Sequence, residues 1–223
     1  MVSKIIRLTT RNNGVRAFIS IEIPHPIREE IARLAEPLKG IRGRVSWSGP
    51  NNMHMTLKFL GDCTRGRLGA ISKKLAAIGA RHKPFQIGFE GMGVFPRPAA
   101  PKVIWLGIGE GKEPLAQLAN DVRSSMESIG FKPETRPFKP HITLGRVKYL
   151  TQPYELADAM ASVPKISIEP VIADYIYLMR SQLDPKGAVY TVIERLSLSG
   201  TTESTPPSDA EGQIASRLEA SAK

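Results

Sequence analysis

Two segments of the chain alternate between polar and apolar side chains, and both contain the motif His-x-Thr-Leu. In residues 52–61, three polar side chains that would share one face of a strand alternate with three apolar ones: His54, Thr56 and Lys58, and Met55, Leu57 and Phe59. The pattern recurs later, where His141 and Thr143 alternate with Ile142 and Leu144. Because successive side chains of a strand point to opposite faces, each segment predicts a strand with one face on a core and one polar face.

The rest of the pattern predicts strands and helices interspersed along the chain. Strands are predicted at 15–23, 45–47, 85–95, 103–108, 166–168, 173–179 and 188–198, and helices at 27–38, 64–80, 115–129 and 153–161. Thr64 is the expected cap of the second helix. Long parallel βαβ runs are absent, so we predict an α+β fold with mainly antiparallel sheets. The repeated motif suggests two similar lobes that flank a central cleft, with the helices outside.

The domain prediction follows from where the apolar pattern stops. Residues 1–199 are expected to form one two-lobed domain. From Gly200 onward Ser, Thr, Pro, Ala and Glu dominate, and an apolar pattern is missing until Ile214 and Leu218. We therefore predict a disordered tail over residues 200–223.

Composition indicates a soluble protein, with 41% hydrophobic and 23% charged residues and no apolar run long enough to span a bilayer. Met1–Arg11 is mixed and basic and does not resemble a signal peptide. A single cysteine, Cys63, excludes an intramolecular disulfide and fits a reducing compartment. We expect a cytoplasmic monomer with no membrane partner.

The net charge of +10 favours polyanionic partners, although a basic solvated surface without a specific partner explains it equally well. Residues 201–223 hold two Lys/Arg and four acidic residues, so the remaining body carries about +12. Nucleic acid and phosphorylated ligands are therefore the first partner classes to consider.

The motif residues suit acid–base chemistry at phosphorus. An imidazole gives or takes a proton near neutral pH, so a facing pair can deprotonate a water and protonate a leaving oxygen. Each threonine hydroxyl can donate a hydrogen bond to a phosphate oxygen. A single histidine beside apolar residues is more often a packed residue than a catalyst, but the repetition with the same threonine offset reverses those odds. A zinc site is the weaker hypothesis, because neither HExxH nor CxxC accompanies the motifs.

Further segments make the resemblance to a known family specific. They open the first strand, follow each motif and occupy the central and last strands: Arg16-Ala17-Phe18, Leu57-Lys58-Phe59-Leu60-Gly61, Gly93-Val94-Phe95-Pro96, Val103-Ile104-Trp105-Leu106-Gly107, Phe138-x-Pro140-His141-x-Thr143-Leu144 and Ser181…Gly187-Ala188-x-Tyr190. Over residues 16–196 the chain resembles the two-histidine (2H) phosphoesterases, and within them the RNA 2′,3′-cyclic phosphodiesterases, also called 2′-5′ RNA ligases.

The resemblance implies a bilobal, pseudo-symmetric fold in which His54 and Thr56 face His141 and Thr143 across a cleft. It implies hydrolysis of a 2′,3′-cyclic phosphate at an RNA end to a 2′-phosphate, with no metal and no nucleotide cofactor. By similarity His141 is assigned as the general base and His54 as the general acid. Thr56 and Thr143 would bind the non-bridging oxygens.

Several other residues are possible RNA contacts. Strict alternation places Arg146 on the face opposite the cleft, so either a bulge reorients it or it contacts RNA from the rim. Lys58 is either on the catalytic face or a solvated strand-end charge, and Phe18 either stacks on a base or belongs to the core. The remaining candidates are basic residues of the two loops beside the motifs: Arg97, Arg136 and Lys139.

Three alternatives to the RNA hydrolase stay open. The first is an RNA-end-binding module with little turnover, against which the intact motifs argue mildly. The second is a ligase that forms 2′-5′ linkages, which is the reverse of the same chemistry. The third is a cyclic phosphodiesterase that acts on nucleotides other than RNA ends.

Overall fold

The computed structural model describes residues 14–163, 166–185 and 187–200 of the chain. Within these ranges the strands are β1 (Val15–Glu22), β2 (Gly43–Trp47), β3 (His54–Cys63), β4 (Phe85–Ile87), β5 (Phe89–Phe95), β6 (Val103–Ile108), β7 (His141–Leu150), β8 (Val171–Ala173), β9 (Tyr175–Asp184) and β10 (Gly187–Ser197). The helices are α1 (His25–Leu34), α2 (Arg65–Gly79), α3 (Lys112–Glu127) and α4 (Pro153–Ser162). The predicted tail lies outside the described residues except for Gly200, so the domain boundary stays a prediction.

All strand pairs in the described ranges are antiparallel, which confirms the predicted α+β class. The first sheet has the order β10-β9-β1-β3, and the second has the order β2-β7-β6-β5. A small third sheet pairs β4 with β8. The two motif strands, β3 and β7, belong to different large sheets and contact each other. Each lobe therefore contributes one motif to the same region.

Each large sheet combines strands from early and late parts of the chain. In the first sheet β1 and β3 lie beside β9 and β10, and in the second β7 is inserted between β2 and β6. A lobe is consequently built by long-range pairing and not by one continuous stretch of sequence.

The helices form where the apolar spacing predicted them. Thr64 caps α2 by accepting a hydrogen bond from the backbone N–H of Arg67 at 3.4 Å, and the buried face of α2 includes Ile71, Leu75 and Ile78. This helix confirms the predicted cap and the helix predicted at 64–80. The helix predicted at 27–38 instead ends at Leu34 and continues as a 3₁₀ helix, Glu36–Gly40. Pro37 lacks the N–H that a continuing α-helix requires.

The strand predicted at 166–168 is wrong. Those residues have no regular structure, and the strand lies further on at Val171–Ala173, where it pairs with Phe85–Ile87. Ile166 and Ile168 line a cavity against α4, so their spacing reflects packing of side chains and not pairing of backbone.

Candidate active site

His54 is held by contacts on several sides. It is the first residue of β3 and lies opposite Glu22 of β1. The Phe18 ring stacks on the imidazole with 4.7 Å between centroids, and Tyr190 meets it edge-on at 5.1 Å. A hydrogen bond to the backbone of Asn52 fixes its orientation further. The first motif histidine is therefore a preorganised group at the edge of the first sheet.

His141 occupies the equivalent place in the second sheet. It is the first residue of β7, and its Nδ1 donates to the carbonyl oxygen of Lys139 at 2.6 Å. The Phe95 ring lies edge-on to it at 5.0 Å. A proton held on Nδ1 leaves Nε2 as the nitrogen available to a ligand. Both motif histidines thus bond to the backbone of the residue two positions earlier in the chain.

Burial lowers the pKa of both imidazoles. For His54 it lowers the pKa to about 4, against the opposing hydrogen bond to Asn52, and the charges of Arg146, Arg28 and His141 lower it further. The pKa of His141 is also lowered, chiefly by burial. The hydrogen bond to the Lys139 backbone opposes this shift, and the positive charge of Arg146 adds to it. Since β3 and β7 contact each other and the charge of His141 contributes to the lowered pKa of His54, the two motifs meet at one site.

Thr56 and Thr143 lie two residues beyond the histidines, and both are part-exposed. Thr56 pairs with Ser20 across the first sheet, and Thr143 pairs with Trp105 across the second. Since residues i and i+2 of a strand share a face, each hydroxyl lies on the same side as its histidine. The structure therefore brings together the four predicted motif residues.

A β-bulge follows each threonine. In β3, Thr56 and Lys58 pair with two consecutive residues of β1, so Leu57 between them is the extra residue. In β7, Thr143 and Gly145 pair with two consecutive residues of β6, so Leu144 between them is the extra residue. Such an insertion moves the following residues to the opposite face. Arg146 is consequently exposed on the same side of β7 as His141. Of the two alternatives for this residue, the structure therefore supports reorientation by a bulge.

Comparison with known proteins identifies the family. The family model described as LigT like Phosphoesterase matches residues 21–105 and again residues 106–190. The chain belongs to the LigT-like 2H phosphoesterases. Both matches together cover most of the chain, and each contains one His-x-Thr-Leu motif. The double match agrees with the pseudo-symmetric arrangement of the two sheets.

Relatives of the phosphoesterase carry consistent names. A protein of Archaeoglobus fulgidus named RNA 2′,3′-cyclic phosphodiesterase is 35% identical over 79% of this chain and 96% of its own length. One of the same name from Methanothermobacter thermautotrophicus is 33% identical over 81% of this chain and 97% of its own. The chain is thus an enzyme of the cyclic phosphodiesterase type.

Solved structures show the same fold. The structure of E. coli LigT in complex with 3′-AMP superposes with a TM-score of 0.67 at 29% identity, over 83% of this chain and 98% of that one. A protein of Thermus thermophilus superposes with a TM-score of 0.68 at 28% identity over the same shares. The arrangement of strands and helices described above is therefore shared with these proteins over nearly their whole length.

Two predictions for β3 of the phosphoesterase are wrong because of its bulge. Strict alternation predicts Phe59 on the core face, yet this residue is 62% exposed and its ring lies 6.2 Å from that of Phe18. The same alternation predicts Lys58 on the catalytic face, with a solvated strand-end charge as the alternative, yet this residue is only 2% exposed. Its Nζ donates to the carbonyl oxygen of Lys132 at 3.0 Å and lies 3.7 Å from Glu134. Lys58 therefore ties β3 to the segment that precedes β7.

Phe18 is part of the interior, at 2% exposure, and its ring stacks on the imidazole of His54. Its buried ring has no free face for a base. Arg97, Arg136 and Lys139 are exposed, and Lys139 Nζ lies 5.8 Å from the Phe95 ring beside His141. These three side chains are available to a polyanion near the second motif.

Sequence reasoning missed four neighbours of the histidines: Tyr190, Phe95, Glu22 and Arg28. Tyr190 and Phe95 lie within the segments that carry the family resemblance, but their pattern alone predicts no role for them. Glu22 is visible as a polar residue on the same strand face as Phe18. Arg28 has no signal, because its position depends on how α1 packs beside the first sheet.

The described residues, 14–163, 166–185 and 187–200, lack two further kinds of feature. They contain no group of three or more His, Cys, Asp or Glu side chains arranged to hold a metal ion. They also contain no helix that is long and apolar enough to cross a membrane. Cys63 is buried, and this burial raises the pKa of its thiol.

Proposed function

We propose that this phosphoesterase hydrolyses 2′,3′-cyclic phosphate ends of RNA to 2′-phosphates by metal-independent acid–base catalysis at His54 and His141. The main support is that two equivalent histidines lie at one site, and that each is oriented by a hydrogen bond to the backbone. The names of the curated relatives supply the substrate class.

The chemistry needs one proton acceptor and one proton donor. One imidazole takes a proton from water as the water oxygen bonds to phosphorus, and the other gives a proton to the departing 3′-oxygen. The P–O3′ bond breaks, the new P–O bond leaves a 2′-phosphate, and the two histidines have exchanged protonation states. Release of a proton from one and uptake by the other restores the starting state.

Hydroxyl and guanidinium groups complete the site. Thr56 and Thr143 donate hydrogen bonds to the non-bridging oxygens, which carry the growing negative charge. Arg146 faces the same side and adds positive charge there. Stabilising charge that develops in the transition state is a large part of such catalysis.

Family resemblance assigns His141 as base and His54 as acid, but the pKa values put this order to a test. A general acid must carry a proton, and a pKa of about 4 leaves His54 unprotonated at neutral pH before substrate binds. A bound phosphodiester anion stabilises an imidazolium and raises its pKa. The proposal therefore includes substrate-assisted protonation of the acid.

The RNA part of the proposal is supported by charge. The body of about +12 and the exposed Arg97, Arg136 and Lys139 favour a polyanion over a mononucleotide. We propose that these residues contact phosphates upstream of the cyclic end.

The test is hydrolysis of an oligoribonucleotide with a 2′,3′-cyclic end, and of a 2′,3′-cyclic mononucleotide, both in EDTA. Phosphorus NMR should show a 2′-phosphate monoester as the product. The matched control is the double variant His54→Ala/His141→Ala, which should yield none. Activity that disappears in EDTA and returns with zinc or manganese would reject the metal-independent mechanism.

A further inference from the structure

A second cavity adjoins His54, and none of its lining residues belongs to β7. It has a volume of about 610 Å³ and lies between the end of β1, α1, the 3₁₀ turn Pro50–Asn52 and the start of β10. Its polar lining comes from Glu22, Arg28, Asn51 and Asn52, and its apolar wall includes Met179 and Tyr190. The volume falls within the roughly 300–1,000 Å³ typical of small-molecule sites.

The cavity is continuous with the reaction centre through shared residues. Glu22 lies opposite His54 in the β1–β3 register, and facing residues on neighbouring strands have Cβ atoms about 4.5–5.5 Å apart. Tyr190 lines the cavity and also meets the His54 imidazole edge-on at 5.1 Å. A nucleotide whose cyclic phosphate lies at His54 therefore has room beside it for another of its own groups.

Polar groups in this cavity lack full partners. Arg28 Nε is buried and has no hydrogen-bond partner among the described residues. That atom is too deeply buried for a ligand to reach, so any contact from Arg28 to a ligand in the cavity must come from its Nη groups. Glu22 Oε1 accepts from Ser20 Oγ at 2.8 Å, while Oε2 is 3.9 Å from Arg28 Nη1, beyond hydrogen-bond range. Burial raises the pKa of Glu22 despite Ser20 and Arg28.

The chemistry of the lining favours a base over a phosphate. A carboxylate repels a phosphate group but accepts hydrogen bonds from the N–H groups of a base. Aromatic side chains can stack on bases, and Tyr190 is the aromatic residue of this lining. Asn51 and Asn52 add amides that both donate and accept.

Among the four bases, guanine matches the charged pair best. An arginine suits the O6 and N7 acceptors of guanine, which is its commonest specific partner. A carboxylate suits the adjacent N1–H and N2–H donors of the same base, which adenine, cytosine and uracil do not offer as a pair. We propose that the cavity binds the base of the terminal nucleotide and prefers guanine, with Glu22 accepting from N1–H and N2–H and Arg28 donating to O6.

This inference rests on the proposed function, since it assigns a base preference to the same reaction. The experiment measures kcat/KM for the 2′,3′-cyclic phosphates of guanosine, adenosine, cytidine and uridine. Wild-type enzyme should favour guanosine by about tenfold or more, as expected for a bidentate contact. Glu22→Gln should bring that ratio close to one, because the amide presents a donor where the carboxylate presented an acceptor. The matched control is Glu29→Gln, an exposed position on α1 that should preserve the preference.

Each other outcome overturns the inference. Equal kcat/KM for the four wild-type substrates means that no base is distinguished. An equal loss for all four substrates in Glu22→Gln means that Glu22 only supports His54 or Arg28 structurally. An adenosine preference that survives the substitution would assign the cavity to a different contact.

Binding separates this inference from the proposed function. The affinities of the four nucleoside 3′-monophosphates can be measured by calorimetry with wild-type protein and with both variants. If no cyclic substrate is hydrolysed, the proposed function fails, while tighter binding of 3′-GMP that is lost only in Glu22→Gln still supports the cavity. Equal affinities with normal turnover reject the cavity and retain the enzyme.

Discussion

The strand that carries His54 and the strand that carries His141 are alike for four residues and then diverge. Both begin with His-x-Thr-Leu, bulge at the leucine and show the same order of buried and exposed positions over nine residues. The next two positions are Lys58 and Phe59 in one strand, and Gly145 and Arg146 in the other. The shared part supplies the chemistry, and the divergent part is shaped by the neighbours of each strand.

Sheet position explains the first of these differences. β7 lies between β2 and β6, and a Cβ atom on Gly145 would stand 2.8 Å from Val45 and 2.9 Å from Trp47. β3 is the edge strand of its sheet, so Lys58 has space to reach the carbonyl oxygen of Lys132. Pseudo-symmetry of the motifs therefore does not extend to their surroundings.

The largest predicted effect tests the shared part. His54→Ala and His141→Ala should each lower turnover by ~10²–10⁴-fold, the usual contribution of a general acid or base. Both variants should fold, which circular dichroism can verify. Near wild-type turnover in either variant would show that the two strands do not act as a pair.

A substrate with a good leaving group distinguishes the two roles. A cyclic phosphate with sulfur at the 3′ position expels a thiolate that needs no proton. The variant that lacks the acid should regain much of its activity on this substrate, while the variant that lacks the base should not. Equal rescue of both variants would mean that neither histidine is a dedicated acid.

The second prediction concerns the divergent fifth position of the strands. Gly145→Ala should destabilise the protein by ~1–3 kcal/mol, because the added methyl group overpacks the contact with Val45 and Trp47. Urea unfolding gives the free energy. The control is Gly69→Ala in α2, where nothing lies within 4 Å of the added atom and alanine favours the helix. An unchanged midpoint for Gly145→Ala would mean that β2 moves away without cost.

The third prediction is a pH profile. A base works unprotonated and an acid works protonated, so lowered pKa values move both limbs of the kcat/KM profile below the ordinary histidine value of 6.5. The bound phosphodiester anion raises these pKa values, so the kcat profile should lie at higher pH than the kcat/KM profile. A kcat/KM profile that still rises well above pH 6.5 would implicate another base.

The smallest predicted effect concerns the sixth position of each motif strand, which is Phe59 in β3 and Arg146 in β7. Arg146→Gln removes a positive charge at the phosphate and should reduce the salt dependence of oligonucleotide binding by about 0.7 in log–log slope. Phe59→Leu keeps the charge and should leave that slope unchanged. Arg97→Gln and Arg136→Gln should flatten the slope for an oligonucleotide and leave a cyclic mononucleotide unaffected. Equal salt dependence for both substrates would confine binding to the terminal nucleotide.

Alternation and motif repetition were sufficient to predict most strands and the strand face on which each motif histidine shares its side with a threonine. They failed after Leu57 and Leu144, because a bulge changes the face of every later residue without a mark in the local pattern. Phe59 and Lys58 were misplaced for this reason. Glu22 reaches His54 through the pairing of β1 with β3, and Arg28 through the placement of α1 beside the first sheet. Local periodicity contains neither of these long-range relations.

The interleaved strand order affects how this chain can be divided. Although the family model matches residues 21–105 and 106–190 separately, neither half contains a complete large sheet, because β7 is inserted among early strands and β9 and β10 extend β1. A fragment cut between the matches would expose strand edges that the other fragment normally covers, and such edges invite aggregation. Two fragments expressed together can complement each other by restoring these pairings, but neither fragment alone can assemble a lobe.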